Sequence, residues 1–139
     1  MTFNVNGIGV LVAALAGFVV GGIWYSPMLL GKQYMKEIGR TMADMENWKK
    51  HHSLAGAYLQ GFLISLVMTY VLAYVLGFTS AVLPVDAARD AFWIWLGFVA
   101  PVTASAVTWE GKSWKWWAIV NGQNLIALIV SALVLVLWK

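Results

Sequence analysis

Hydrophobic positions in this chain fall into four long runs, at about 7–24, 54–78, 91–109 and 116–138, separated by polar connectors. None of the runs contains Lys, Arg, Asp, Glu or His. Each is close to the roughly 20 residues that a helix needs to cross a hydrocarbon core of about 30 Å. Within lipid the backbone must satisfy its own hydrogen bonds, which leaves helices or closed barrels. Barrel strands alternate apolar and polar residues, and these runs do not. The pattern predicts an all-α membrane protein: four transmembrane helices forming a single domain over 1–139.

The longest polar stretch, between the first two runs, has a period of its own. Pro27 is expected to stop the first helix or begin the next, because it has no backbone N–H to donate. Beyond it Tyr34 or Met35, Ile38, Met42 and Met45 recur at three- and four-residue spacing, with charged residues between them. That is an amphipathic helical period over about 28–50, expected to lie along the cytoplasmic membrane surface. Gly39 is expected to stop its first part. Thr41 with Asp44 three residues on forms a capping box that restarts it, and the restarted helix is expected to run on into the second span.

Composition narrows the class. Hydrophobic residues make up 61% of the chain and charged residues 11%, against about 25% charged in ordinary soluble domains. The connectors leave no room for a separate soluble domain. The net charge of +3 does not point to nucleic acid, because the positive residues flank the spans, where anionic membrane lipid is the expected partner. The chain has no cysteine, so disulfides, thiol nucleophiles and Cys-ligated metals are excluded. Ala14-Leu15-Ala16 resembles a signal cleavage site, but Met1–Asn6 carries no positive charge and the apolar run continues to Trp24. The first span is therefore read as retained.

Charge also sets an expected orientation. Lys32, Lys36, Arg40, Lys49 and Lys50 lie between the first and second spans, and Lys112 and Lys115 between the third and fourth; only Arg89 and Lys139 fall on the other side. The positive-inside rule makes the connectors 26–53 and 110–115 cytoplasmic and puts both termini outside, in what is expected to be a bacterial inner membrane. Trp24, Tyr25, Trp109, Trp114, Trp116 and Trp117 are expected at the inner interface, and Trp93, Trp95 and Trp138 at the outer one.

Small residues mark where helices approach closely. Gly9, Ala13, Gly17 and Gly21 share one face of the first span, and Ala57, Gly61, Ser65, Thr69, Ala73 and Gly77 one face of the second. Such stripes let helices meet in lipid. Gly17, Gly21, Gly61 and Ser65 are the packing positions expected to matter most. Four helices make a small bundle, and a homo-oligomer is expected.

Chemistry-bearing residues are few. The spans hold no ionisable group, which argues against a proton-driven carrier. Their polar residues are neutral, and helical rise places Tyr25, Gln60, Ser105, Thr108, Asn121 and Asn124 in one depth band near the cytoplasmic end. Buried amides need partners, so these six are expected to form a hydrogen-bonded cluster, either as structural glue or as a small polar pocket. Gln123 is expected to point away from the Asn121/Asn124 face. His51 and His52 are adjacent on a helix and diverge by about 100°, so they do not chelate as an i, i+4 pair does. They are read as interfacial and solvated. Glu110 is read as solvated or paired with Lys112 or Lys115. No catalytic, cofactor-binding or metal-binding pattern is present in the sequence, and the reading leans away from an enzyme.

The element Gly21-Gly22-Ile23-Trp24-Tyr25-Ser26-Pro27, followed by Gly31-Lys32, resembles the hallmark of the family catalogued as domain of unknown function 1761. The likeness continues through Met35, Ile38-Gly39 and Thr41, then Trp95-Leu96-Gly97-Phe98-Val99 and the turn Glu110-Gly111-Lys112-Ser113. Leu30 stands where a Phe is common. The resemblance implies a compact four-span prokaryotic-type membrane protein with no assigned activity. It makes Trp24, Tyr25, Ser26 and Pro27 a defining corner without giving them a catalytic role. The expected function is a non-enzymatic membrane protein binding a lipid or small amphiphile among its helices. The alternative is a small transporter or channel for a neutral or cationic solute.

Overall fold

The computed structural model describes residues 6–138. The expectations placed on residues 1–5 and on Lys139 lie outside the described residues. The chain forms α1 (Gly7–Trp24), α2 (Gly31–Glu37), α3 (Met42–His51), α4 (Leu54–Phe78), α5 (Pro84–Ile94), a π-helical segment (Trp95–Val99), α6 (Ala100–Trp109) and α7 (Trp114–Leu137). Among the described residues there is no strand. α1, α4, the continuous α5–π–α6 helix and α7 are four helices long and apolar enough to span a membrane. Leu59, Leu63, Val67 and Val71 lie exposed along the outside of α4. A surface so apolar suits lipid rather than water.

The starts of α1, α3, α4 and α7 have local causes. Asn6 Oδ1 accepts the Ile8 and Gly9 N–H groups at 3.0 and 3.2 Å, capping α1. Ser53 Oγ accepts the Gly56 N–H at 3.0 Å and Ser113 Oγ the Trp116 N–H at 2.9 Å, starting α4 and α7. These satisfy donors that a helix leaves unpaired at its N-terminus. Thr41 and Asp44 form the reciprocal capping box of α3, with bonds of 2.8 and 3.2 Å.

The connector holds two short helices, separated as expected at Gly39, where φ is +73°. The structure corrects the expected elements in two places. α3 does not run on into α4: His52 is extended, its ring stacked on Trp48 at 4.7 Å. The third spanning helix begins at Pro84 rather than near 91. Proline fits the first turn because no helical bond is lost there. Asp86 supports the start by accepting the Leu83 N–H at 3.4 Å. Trp95 consequently lies eleven residues into this helix, about 16 Å along it, where its indole N–H donates to the Asn121 carbonyl at 2.9 Å.

Around the bundle the helices follow the order α4, α1, α7, α5–α6. α1 lies between α4 and α7, joined to each by a serine. Ser65 Oγ donates to the Ala14 carbonyl at 2.8 Å, and Ser131 Oγ to the Ala13 carbonyl at 2.9 Å. A side chain at Gly17 would put its Cβ 2.7 Å from Ser131 Oγ. Close backbone approach of this kind holds helices together where no hydrophobic drive exists. At the α4–α5 end, Leu72, Leu76, Ala87, Ala91, Leu128, Ala132 and Val136 close a packed core. Towards the other end α4 and α7 diverge across α1.

Candidate functional site

That divergence leaves a groove of about 930 Å³ between α4 and α7, floored by α1. Gly17 and Gly21 form its floor. Ala57, Gly61 and Ser65, spaced four apart on α4, form one wall. Asn124, Ala127 and Ser131 form the other wall on α7. Small side chains on all three helices leave the space open. Phe18 also borders the groove and makes edge-to-face contacts with Tyr58 and Phe62, at 6.3 and 6.1 Å between ring centroids.

The mouth nearest the basic connector is built by the Trp24–Pro27 corner. The Trp24 indole N–H donates to the Ile119 carbonyl of α7 at 2.9 Å, and the ring covers Gly122, where a Cβ would come within 2.9 Å. Trp24 is therefore a strut between helices, its polar edge spent on α7 and not on headgroups. After it the chain folds tightly back. Leu30 N–H donates to the Trp24 carbonyl, and Leu29 and Gly31 N–H to the Ser26 carbonyl, all at 3.0 Å. At Gly31 a Cβ would lie 2.2 Å from the Tyr25 carbonyl oxygen. Only glycine fits that position, which explains physically why Gly31 accompanies the corner. Tyr25, Ser26 and Pro27 thereby reach the groove. The Tyr25 ring rests on Tyr34 at 4.9 Å, and burial, with Tyr34 second, pushes its hydroxyl pKa up to about 12. It stays a neutral donor at ordinary pH.

The six polar residues expected in one cluster are dispersed. Tyr25 and Asn124 line the groove. Gln60 is exposed on the outside of α4, and Ser105 and Thr108 are exposed on α6, where Ser105 Oγ donates to the Val102 carbonyl at 2.7 Å. Asn121 is fully buried on the opposite side of α7, against α6. Its Oδ1 lies 2.7 Å from Thr103 Oγ1 and its Nδ2 donates to the Trp117 carbonyl at 2.9 Å. Thr103 Oγ1 is also 3.0 and 3.1 Å from the Val99 and Ala100 carbonyls. With one hydroxyl proton to give, the shortest contact is the one assigned. Depth was a poor guide because it ignores azimuth: residues at one level of a bundle can face any direction. Gln123 is the second correction. It lines the groove beside Asn124, with Nε2 3.2 Å from where a Gly21 Cβ would sit.

Ser131, which sequence reasoning missed, completes this face of α7. Asn124, Ala127, Leu128 and Ser131 stand at i, i+3, i+4 and i+7, a pattern that could have identified it. Glu37 was also missed: its Oε2 accepts the Ser113 hydroxyl at 2.6 Å. That bond ties α2 to the α6–α7 turn and sets both basic connectors at one end of the bundle. Lys112 Nζ lies 5.7 Å from the Trp116 ring centroid, and Glu110 is exposed.

No curated protein and no solved structure matches this chain. A family model described as Protein of unknown function (DUF1761) matches residues 8–136, which take in every spanning helix, the Trp24–Pro27 corner and the groove. With nearly its whole length covered, the chain belongs to the DUF1761 family.

Proposed function

We propose that this integral membrane protein is a non-enzymatic bundle that takes a lipid or small amphiphile into the groove between α4, α1 and α7. The observation that carries this reading is the groove itself: apolar, walled by small residues, and ending in neutral polar groups at the Trp24–Pro27 corner. Ligand sites are concave and mostly apolar, with a few convergent polar groups. An acyl chain would lie along Gly17, Gly61 and Ala127, with its polar end towards Tyr25. The end bearing both basic connectors faces the cytoplasm of a bacterial inner membrane. Charge at the other end supports this, since Arg89 is paired there with Asp86 and Asp90, at 3.3 and 4.0 Å.

The protein works as a homo-oligomer in this reading. Gln60 is exposed in a spanning helix, six residues after Leu54, and an outward amide favours a neighbouring helix over lipid. Native mass spectrometry of protein released from membrane particles tests both parts. The expected result is a defined oligomer carrying a reproducible lipid-mass adduct that Ala57→Phe, which fills the groove, removes. Wild-type protein carrying nothing beyond bulk lipid would overturn the binding reading, and monomers under all mild conditions would overturn the oligomer.

A further inference from the structure

The polar atoms of the groove are neutral. Among the residues lining it there is no Lys, Arg, His, Asp or Glu. The Ser26, Ser65 and Ser131 hydroxyl protons are already committed, to the Ile23, Ala14 and Ala13 carbonyls. Tyr25, Tyr58, Thr69, Gln123 and Asn124 remain, and among the described residues no side-chain hydrogen bond engages them; Tyr58 and Thr69 stand on α4, whereas Tyr25, Gln123 and Asn124 gather on the α1 and α7 side. Each amide offers both a donor and an acceptor, and the phenol offers either. Gln123 and Asn124 come nine and ten residues after Trp114, about 14–15 Å along α7 from its connector end.

We infer that the groove selects an amphiphile with an uncharged hydrogen-bonding head, a hydroxyl beside an ester carbonyl as in a diacylglycerol, held by Tyr25, Gln123 and Asn124. This rests on the binding role proposed above. A hydroxyl both gives and takes a hydrogen bond, and an ester carbonyl takes one, matching two amides and a phenol. A phosphate held by these groups would lose water without gaining a cation, which is costly in a low-dielectric setting. The basic side chains nearby do not alter this: Lys32, Lys36 and Arg40 are exposed on the connector and do not line the groove. They suit the anionic bilayer surface and leave the groove's choice of head to neutral groups.

The test is competitive loading of the full chain in phosphatidylcholine nanodiscs containing equal amounts of dioleoylglycerol and dioleoylphosphatidylglycerol, read by native mass spectrometry. Identical chains leave only the head to discriminate. The expected result is enrichment of dioleoylglycerol over dioleoylphosphatidylglycerol by about tenfold or more, a difference of ~1.4 kcal/mol. Gln123→Met and Asn124→Leu should each reduce the enrichment, while Lys36→Gln leaves it unchanged. Enrichment of either phospholipid, removed by Ala57→Phe, would overturn the neutral-head inference and leave the groove as a lipid site. No lipid enriched in wild type would overturn the binding role itself. The wild-type competition alone decides which head is preferred; Ala57→Phe only places that preference in the groove.

Discussion

At Gly31 and Asn121 single atoms determine what the chain tolerates. Gly31→Ala would drive a methyl group against the Tyr25 carbonyl, 2.2 Å away, and a backbone atom cannot swing aside as a side chain does. Overpacking of this kind costs about 1–3 kcal/mol. We expect a lower thermal midpoint in detergent and loss of the Tyr25–Tyr34 contact, read by tyrosine fluorescence. Asn121→Leu removes both polar partners of a fully buried side chain, leaving the Trp117 carbonyl and Thr103 hydroxyl to other partners. The expected cost is about 1–3 kcal/mol, with bound lipid per folded molecule unchanged because Asn121 is outside the groove. Lipid loss at full stability would contradict this placement. Asp44 gives a pH-dependent counterpart. The Thr41 N–H and hydroxyl beside it hold its carboxyl below the usual carboxylate range. A depressed folded-state pKa adds stability that is complete above the unfolded value of about 4 and is lost as pH falls through the folded value. Amide exchange in α3 should therefore accelerate only in acid, and Asp44→Asn should abolish that dependence.

At the scale of elements, the third spanning helix shows how one proline is accommodated. Pro101 cannot donate a backbone bond, and the π-helical turn at Trp95–Val99 lies immediately before α6. Such turns widen a helix and free carbonyls for other donors. Beside this turn the Trp117 indole N–H donates to the Ala100 carbonyl at 3.0 Å, while the Trp95 indole N–H donates to the Asn121 carbonyl at 2.9 Å. The two tryptophans thus exchange bonds between the third helix and α7. Trp117→Phe keeps the ring and deletes one donor, and should destabilise by about 1 kcal/mol, visible as faster exchange in α6 and not in α1. The α2 connector depends on another exchange: Ser113→Ala breaks its bond to Glu37 and the cap of α7 together. Glu37→Ala breaks only the first. Proteolysis in the connector should rise in both variants, with loss of thermal stability larger in Ser113→Ala, by about 1 kcal/mol for the cap.

Across the whole molecule, packing is uneven by design of the small residues. The α4–α5 end is closed by leucine and alanine, whereas the connector end stays open because Gly17, Gly21, Ala57 and Gly61 present too little volume to fill it. Filling the opening should stabilise the bundle while removing its ligand, a trade-off typical of binding sites. Ala127→Leu is accordingly expected to raise the thermal midpoint of delipidated protein and to lose the lipid adduct. A lowered midpoint with the adduct kept would mean the groove is not the site.

The four spanning helices could be read from the order of residues because lipid leaves a chain few options: long apolar runs must close their own hydrogen bonds. Caps at Thr41 and the stop at Gly39 were equally readable, since their causes lie within four residues. The start of the third span at Pro84 was obscured by Asp86, Arg89 and Asp90, which pair locally at that helix's first turns. The site was harder. Tyr25 and Asn124 were singled out and do share the groove, but Gln60, Ser105, Thr108 and Asn121 were grouped with them by depth alone. Which way a side chain faces depends on helix rotation, and rotation is set by contacts between distant residues such as Gly17 with Ser131 and Trp24 with Gly122. In an apolar solvent no polar stripe marks the outward face: apart from Gln60 and its tyrosines the outside of α4 is apolar, so its rotation comes mainly from how its small residues dock on α1.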